Sequence, residues 1–294
     1  MSTKISPIFT LLQNEAALME GCLSIGLTAL RSATVEDKSK YYSGFFNTSI
    51  AFERLMKLIV VVDHMLSHDF IPPTKKELTK HGHDLNDLYQ LSVEIANRAD
   101  ITMPPQDSLY QLSVEIANRT DITMLPRDSI EGKILNFLSK FAKFSRYYNL
   151  DSLNSRPSKD VDPLTGWEDI INQIIEEDVP NKKLKEKMDI AESISNRIED
   201  ITFIMLHGMS GELLTCHEFL SLTEKQLLAS PYLMVRVFKI LKPLIEIISA
   251  LGDTGFYKRP PHIPHMLYIP IFGETLIAHF MADDATIKRK KRWP

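Results

Sequence analysis

Glycine is scarce: the chain has 11 in 294 residues, and none gather where a backbone could cradle a phosphate. A standard P-loop and a GxGxxG dinucleotide turn are therefore excluded, because both need closely spaced glycines at the start of a helix. Cysteine is scarcer still. Cys22 and Cys216 lie far apart, so they make neither a disulfide framework nor a zinc spacing, and two reduced thiols in a reducing compartment are expected. A basic excess is also missing. Lys plus Arg number 34 against 38 Asp plus Glu, a net charge of −4, which rules out a globally basic nucleic-acid binder but leaves room for a local basic face. The most apolar run, Leu55–Leu66 (LMKLIVVVDHML), is interrupted by Lys57, Asp63 and His64 and falls short of the roughly 20 residues of a membrane span. The first 20 residues lack the basic-then-apolar order of a secretory signal. The expectation is a cytoplasmic protein with no membrane segment.

What is present is helical periodicity. Phe46, Ile50, Leu55, Ile59, Val62 and Leu66 recur at helical intervals, with Glu53 and Lys57 one turn apart as a surface pair. Thr74 followed by Glu77 is a capping box for a short helix that Gly82 stops. Asp84 is placed to cap the next helix, which carries Leu85, Leu88, Leu91 and Ile95 inward. Ser129 is placed to cap another, with Ile130, Ile134, Phe137, Phe141, Phe144 and Tyr148 along one side.

Between these two caps the chain repeats itself. Leu88–Ser108 and Leu109–Ser129 match at 18 of 21 positions, differing at Ala99/Thr120, Pro104/Leu125 and Gln106/Arg127. Each copy reads as one helix and one turn, the product of an in-frame duplication. A solenoid would need about three or more stacked units. One copy is expected in the core, the other on a surface or against a partner subunit.

The polar segment 154–166, with Pro157 and Pro163, marks the expected boundary between a first lobe, 1–153, and a second, 163–294. In the second lobe Trp167, Ile170, Ile171 and Ile174 group together. A helix opened by Pro180 is expected to run to Met205, closed by His207–Gly211. Further helices are expected over Glu212–Leu220, then from a Thr223/Gln226 capping box, then from Ser230–Pro231 toward Gly252 with a kink at Pro243. Residues 257–270 hold four prolines and read as extended, ahead of a last helix near Thr275–Met281. Lys288–Arg292 is a dense basic tail, expected to be a flexible terminus. The fold class is all-α, a two-lobe helical bundle.

Three stretches of the first lobe carry a resemblance: "FFNTSIAFERLMKLIVVVDHML", "KKELTKHGHDLNDLYQL" and "FAKFSRYYNLDSL". Over residues 41–153, with Lys80-His81-Gly82-His83-Asp84-Leu85 as its most telling piece, the chain resembles HEPN-domain proteins, helical proteins associated with nucleotides and RNA in prokaryotic defence and toxin–antitoxin systems. The resemblance implies a bundle of four or five helices and a homodimer. In active members it implies a metal-independent ribonuclease whose Arg and His, about four to six residues apart, converge on the scissile phosphate. Here Arg146 is followed by no histidine. Arg259 and His265 have a matching spacing but lie outside the resembling block, where coincidence is the simpler account.

The remaining candidates come from the residues themselves. Lys133, Asn136, Lys140, Lys143 and Arg146 recur at three- and four-residue steps and read as a cationic stripe opposite Phe137, Phe141 and Phe144, a pattern that can hold a phosphate backbone or a nucleotide; an ordinary solvated face has the same pattern. His81 and His83 flank Gly82, a place where imidazoles cap carbonyls. His262 and His265 have no carboxylate or cysteine beside them, so no metal or other cofactor is expected. The reading is a non-catalytic HEPN-like binding or accessory protein whose Lys133, Lys140, Lys143 and Arg146 engage RNA, nucleotide or a protein partner. Its alternatives are a ribonuclease using Arg146, His83 or Arg259 with His265, and a helical oligomerisation protein.

Overall fold

The computed structural model describes residues 6–98, 124–145, 148, 153, 162–198, 201–202, 204–258 and 279–294. The protein is all-α: among the described residues there is no strand, only an isolated bridge between His207 and Leu213. The helices are α1 (Pro7–Ser32), α2 (Lys38–Ser67), α3 (Lys75–Lys80), α4 (Leu85–Arg98), α5 (Ile130–Lys143), α6 (Pro163–Asp178), α7 (Asn181–Ile198), α8 (Cys216–Lys258) and α9 (Asp284–Arg289). None of them is long and apolar enough to cross a membrane.

Helices α1 and α2 form an antiparallel hairpin, since Leu30 meets Gly44, Gly26 meets Thr48, and Glu15 pairs with Arg54. Its close approach depends on glycine. A Cβ at Gly26 would lie 2.7 Å from the Thr48 backbone nitrogen, a clash with main chain that side-chain motion cannot relieve. Phe45, Phe52, Leu55, Ile59 and Val62 of α2 are buried against this hairpin and its neighbours, and the buried apolar residues from Leu12 to Trp293 form one continuous core.

The start signals hold where they were expected. Thr74 and Glu77 form the reciprocal capping box of α3, and Gly82 follows with φ +61°. Asp84 Oδ1 accepts from the Asn86 and Asp87 amides at the head of α4. Ser129 accepts from the Gly132 amide at the head of α5. The first repeat copy supplies most of α4, which buries Leu88, Tyr89, Val93 and Ile95; residues 99–123, the end of the first copy and most of the second, lie outside the described residues.

The second half departs from its expected outline. Helix α7 ends at Ile198, and Ile201 and Met205 are exposed beyond it. Three expected helices are one: α8 runs without interruption for 43 residues through Pro231 and Pro243. Its capping box is Thr215 with Glu218, while Gln226 is used elsewhere, its buried side-chain oxygen accepting from the Val35 amide at 2.6 Å. Pro231 continues the helix because a hydroxyl substitutes for its missing N–H. Ser230 Oγ donates to the Leu227 carbonyl, the acceptor that Pro231 cannot serve, and itself accepts from Arg31 of α1 at 2.7 Å. The basic tail is likewise docked rather than free. Lys288 lies 4.3 Å from the centre of the Tyr232 ring, Trp293 is buried against Phe238, and the Trp293 amide donates to Thr28 of α1.

Candidate functional site

Helix α5 sits over α6 and the middle of α2 through an aromatic cluster. Phe45 of α2 has its ring 4.7 Å from Phe137, 5.3 Å from Phe141 and 4.8 Å from Trp167, all edge to face. Phe137 also lies 4.9 Å from Trp167. These contacts fix how α5 is rotated about its axis, and the rotation opens a cleft of about 620 Å³ between α5 and α6.

One wall of the cleft is α5. Lys133, Phe137, Lys140 and Phe144 line it together, because steps of four, three and four residues return to the same side of a helix. The lysines and phenylalanines thus share a face, where the sequence pattern had set them on opposite ones. Phe144 is 61% exposed, so its ring is accessible from the cleft. The other wall is α6, which presents Asp169 and Gln173, with the capping residue Asp162 at its head.

The groups in this cleft are held by a hydrogen-bonded chain. Lys133 Nζ donates to Gln173 Oε1 and Gln173 Nε2 donates to Glu177, each at 2.7 Å. Glu177 in turn meets the Arg236 guanidinium of α8, which also binds Asp178 and Glu131. Lys140 also lines the cleft and has no carboxylate partner among the described residues. The arrangement offers cations on one wall, acceptors and an amide on the other, and aromatic faces between them.

Lys143 has a different role. It turns out of the cleft to pair with Asp84, whose other oxygen also accepts from Ser139 at 3.1 Å. Partial burial works against the charge on Asp84, but Lys143, the two α4 amides and Ser139 outweigh it and hold the carboxyl down at about 2. A folded value below the unfolded one stabilises the fold above pH ~4 and loses that effect as pH falls toward about 2. Melting curves of wild type and Asp84→Asn should therefore differ most above pH 4 and converge near pH 2; parallel curves across that range would refute the assignment.

His83 is exposed, and its Nδ1 lies 2.7 Å from Glu53 of α2 rather than on a helix carbonyl. Burial opposes the charge on Glu53, yet hydrogen bonds from Lys57 and His83 outweigh it and keep the carboxyl below its ordinary range. Nothing in the sequence signals the pairing of residues 30 positions apart. Arg146, Arg259 and His265 lie outside the described residues. No group of three or more potential metal ligands occurs among the described residues. No protein-family model, curated protein or solved structure matches the chain.

Proposed function

We propose that this protein is a binding module that takes a nucleotide unit in the α5–α6 cleft, either as a free mononucleotide or as part of a single-stranded RNA. One observation carries the reading: Lys133 and Lys140 alternate with Phe137 and Phe144 along a single face of α5, opposite Asp169 and Gln173. A base has an apolar face to stack and polar edges to bind, and its phosphate is anionic. Stacking on an accessible ring such as Phe144 contributes about 1–3 kcal/mol per base, lysines neutralise phosphate, and a carboxylate and an amide suit the amino and imino groups of a base edge. The resemblance of residues 41–153 to HEPN-domain proteins supports the same ligand class and is the basis for placing the protein in a prokaryotic defence or toxin-associated complex. The reading needs no catalytic residue.

Fluorescence titration at low salt with mononucleotides and with a labelled single-stranded RNA separates the two sources of the ligand. Lys133→Glu with Lys140→Glu should weaken binding more than tenfold, and Phe144→Ala by about five- to a hundredfold. Lys143→Glu should act mainly on stability, because Lys143 serves Asp84. Failure of both ligand classes to bind at low salt would overturn the proposal.

A further inference from the structure

A second pocket, of about 440 Å³, lies away from the α5–α6 cleft between α1, α2 and α3. Its apolar lining comes from Leu12, Leu58, Val61 and Leu78, and no Phe, Tyr or Trp among the described residues contributes to it. Three cations surround that lining, Arg54, Lys57 and Lys75, with the His83 imidazole beside them. Two carboxylates partly neutralise them. Glu15 pairs with Arg54, and Glu53 accepts from both Lys57 and His83.

The charge balance is informative. Among the permanently charged side chains, Arg54, Lys57 and Lys75 against Glu15 and Glu53 leave one positive charge in excess, and it rests on Lys75, which has no carboxylate partner among the described residues. An aliphatic lining rewards an alkyl chain and gives a base nothing to stack on. A single excess cation matches a monoanion, whereas a polyanion would meet the Glu15 carboxylate that also lines the pocket. We propose that this pocket binds an aliphatic monocarboxylate of medium chain length, its carboxylate on Lys75 and its alkyl chain on Leu78, Val61, Leu58 and Leu12. This site is independent of the nucleotide reading.

Octanoate is the probe, titrated calorimetrically below its micelle concentration into the full chain, with acetate and octanol as controls. Octanoate should bind saturably at one site, and acetate and octanol should each bind at least about tenfold more weakly, since each lacks one half of the recognition. Lys75→Glu should weaken octanoate about tenfold. Lys75 is exposed at the first position of α3, where an acidic residue suits the helix terminus, so this variant keeps the fold. Lys140→Glu, in the other cleft, should leave octanoate binding unchanged. Absence of saturable octanoate binding, equal binding of octanol, or equal binding by Lys75→Glu would each overturn the proposal.

Discussion

Arg236→Ala should lower the free energy of unfolding by about 3–5 kcal/mol, measured by urea denaturation at neutral pH with little change in slope. Arg236 binds Asp178 through Nε and Nη2 at 2.8 and 2.7 Å and Glu131 through Nη1 at 2.9 Å. Its side chain is 16% exposed and that of Glu131 only 10%. Truncation therefore strands two carboxylates in the seam where α5, α6 and α8 meet, with Lys239, 3.6 Å from Glu131, the one other cation paired with either among the described residues. Desolvated charges without a partner are the costly case, and Asp178 and Glu131 together raise the guanidinium's own proton affinity against the opposing effect of its burial. Glu177 provides the internal contrast. It is about half exposed, so Glu177→Ala should cost less than about 1 kcal/mol. Similar losses in the two variants would mean that the network is a surface feature and does not anchor α8.

Trp167→Ala should be of similar severity, about 3–5 kcal/mol, and should also loosen ligand binding. Trp167 is fully buried, between Phe45 and Phe137, so its removal leaves a cavity directly behind a ring that lines the cleft. Trp167→Phe separates packing from polarity. The indole N–H is buried with no hydrogen-bond acceptor among the described residues, so phenylalanine gives up packing volume rather than a bond found there, and should cost clearly less than alanine while retaining most of the binding. Equal destabilisation by the two substitutions would show that the indole's full size, not merely an aromatic ring, is required.

Much of this architecture was legible because it is local. The Thr74/Glu77 box, the Asp84 and Ser129 caps and the Gly82 stop each involve groups within three or four residues, and each occurs as read. The errors in α8 share a cause. Pro231 looks like a helix start unless it is known that Ser230 serves the carbonyl of Leu227, and Gln226 looks like a cap unless Val35, 191 residues away, is seen to claim it. The cleft was half legible. Lys133 and Lys140 stand out as a cationic stripe, but assigning Phe137 and Phe144 to the opposite face concealed that they interleave with the lysines, and the α6 wall comes from a segment read only for its apolar positions. The partner of His83 could not have been found at all, because Glu53 reads as an ordinary helix-surface residue paired with Lys57.

The bond between the Trp293 amide and Thr28 spans 265 residues, and its consequence falls during synthesis. At about 5–20 residues per second, roughly 13–53 s separate the translation of those two positions. Until α8 and then α9 have been made, the side of α1 that will receive Trp293, and the Arg31 guanidinium that will meet Ser230 and the Lys288 carbonyl, have no native cover from them. The α1–α2 hairpin can form on the ribosome, but it does so with an unfinished flank, and that flank is where a nascent-chain chaperone would be expected to bind this polypeptide.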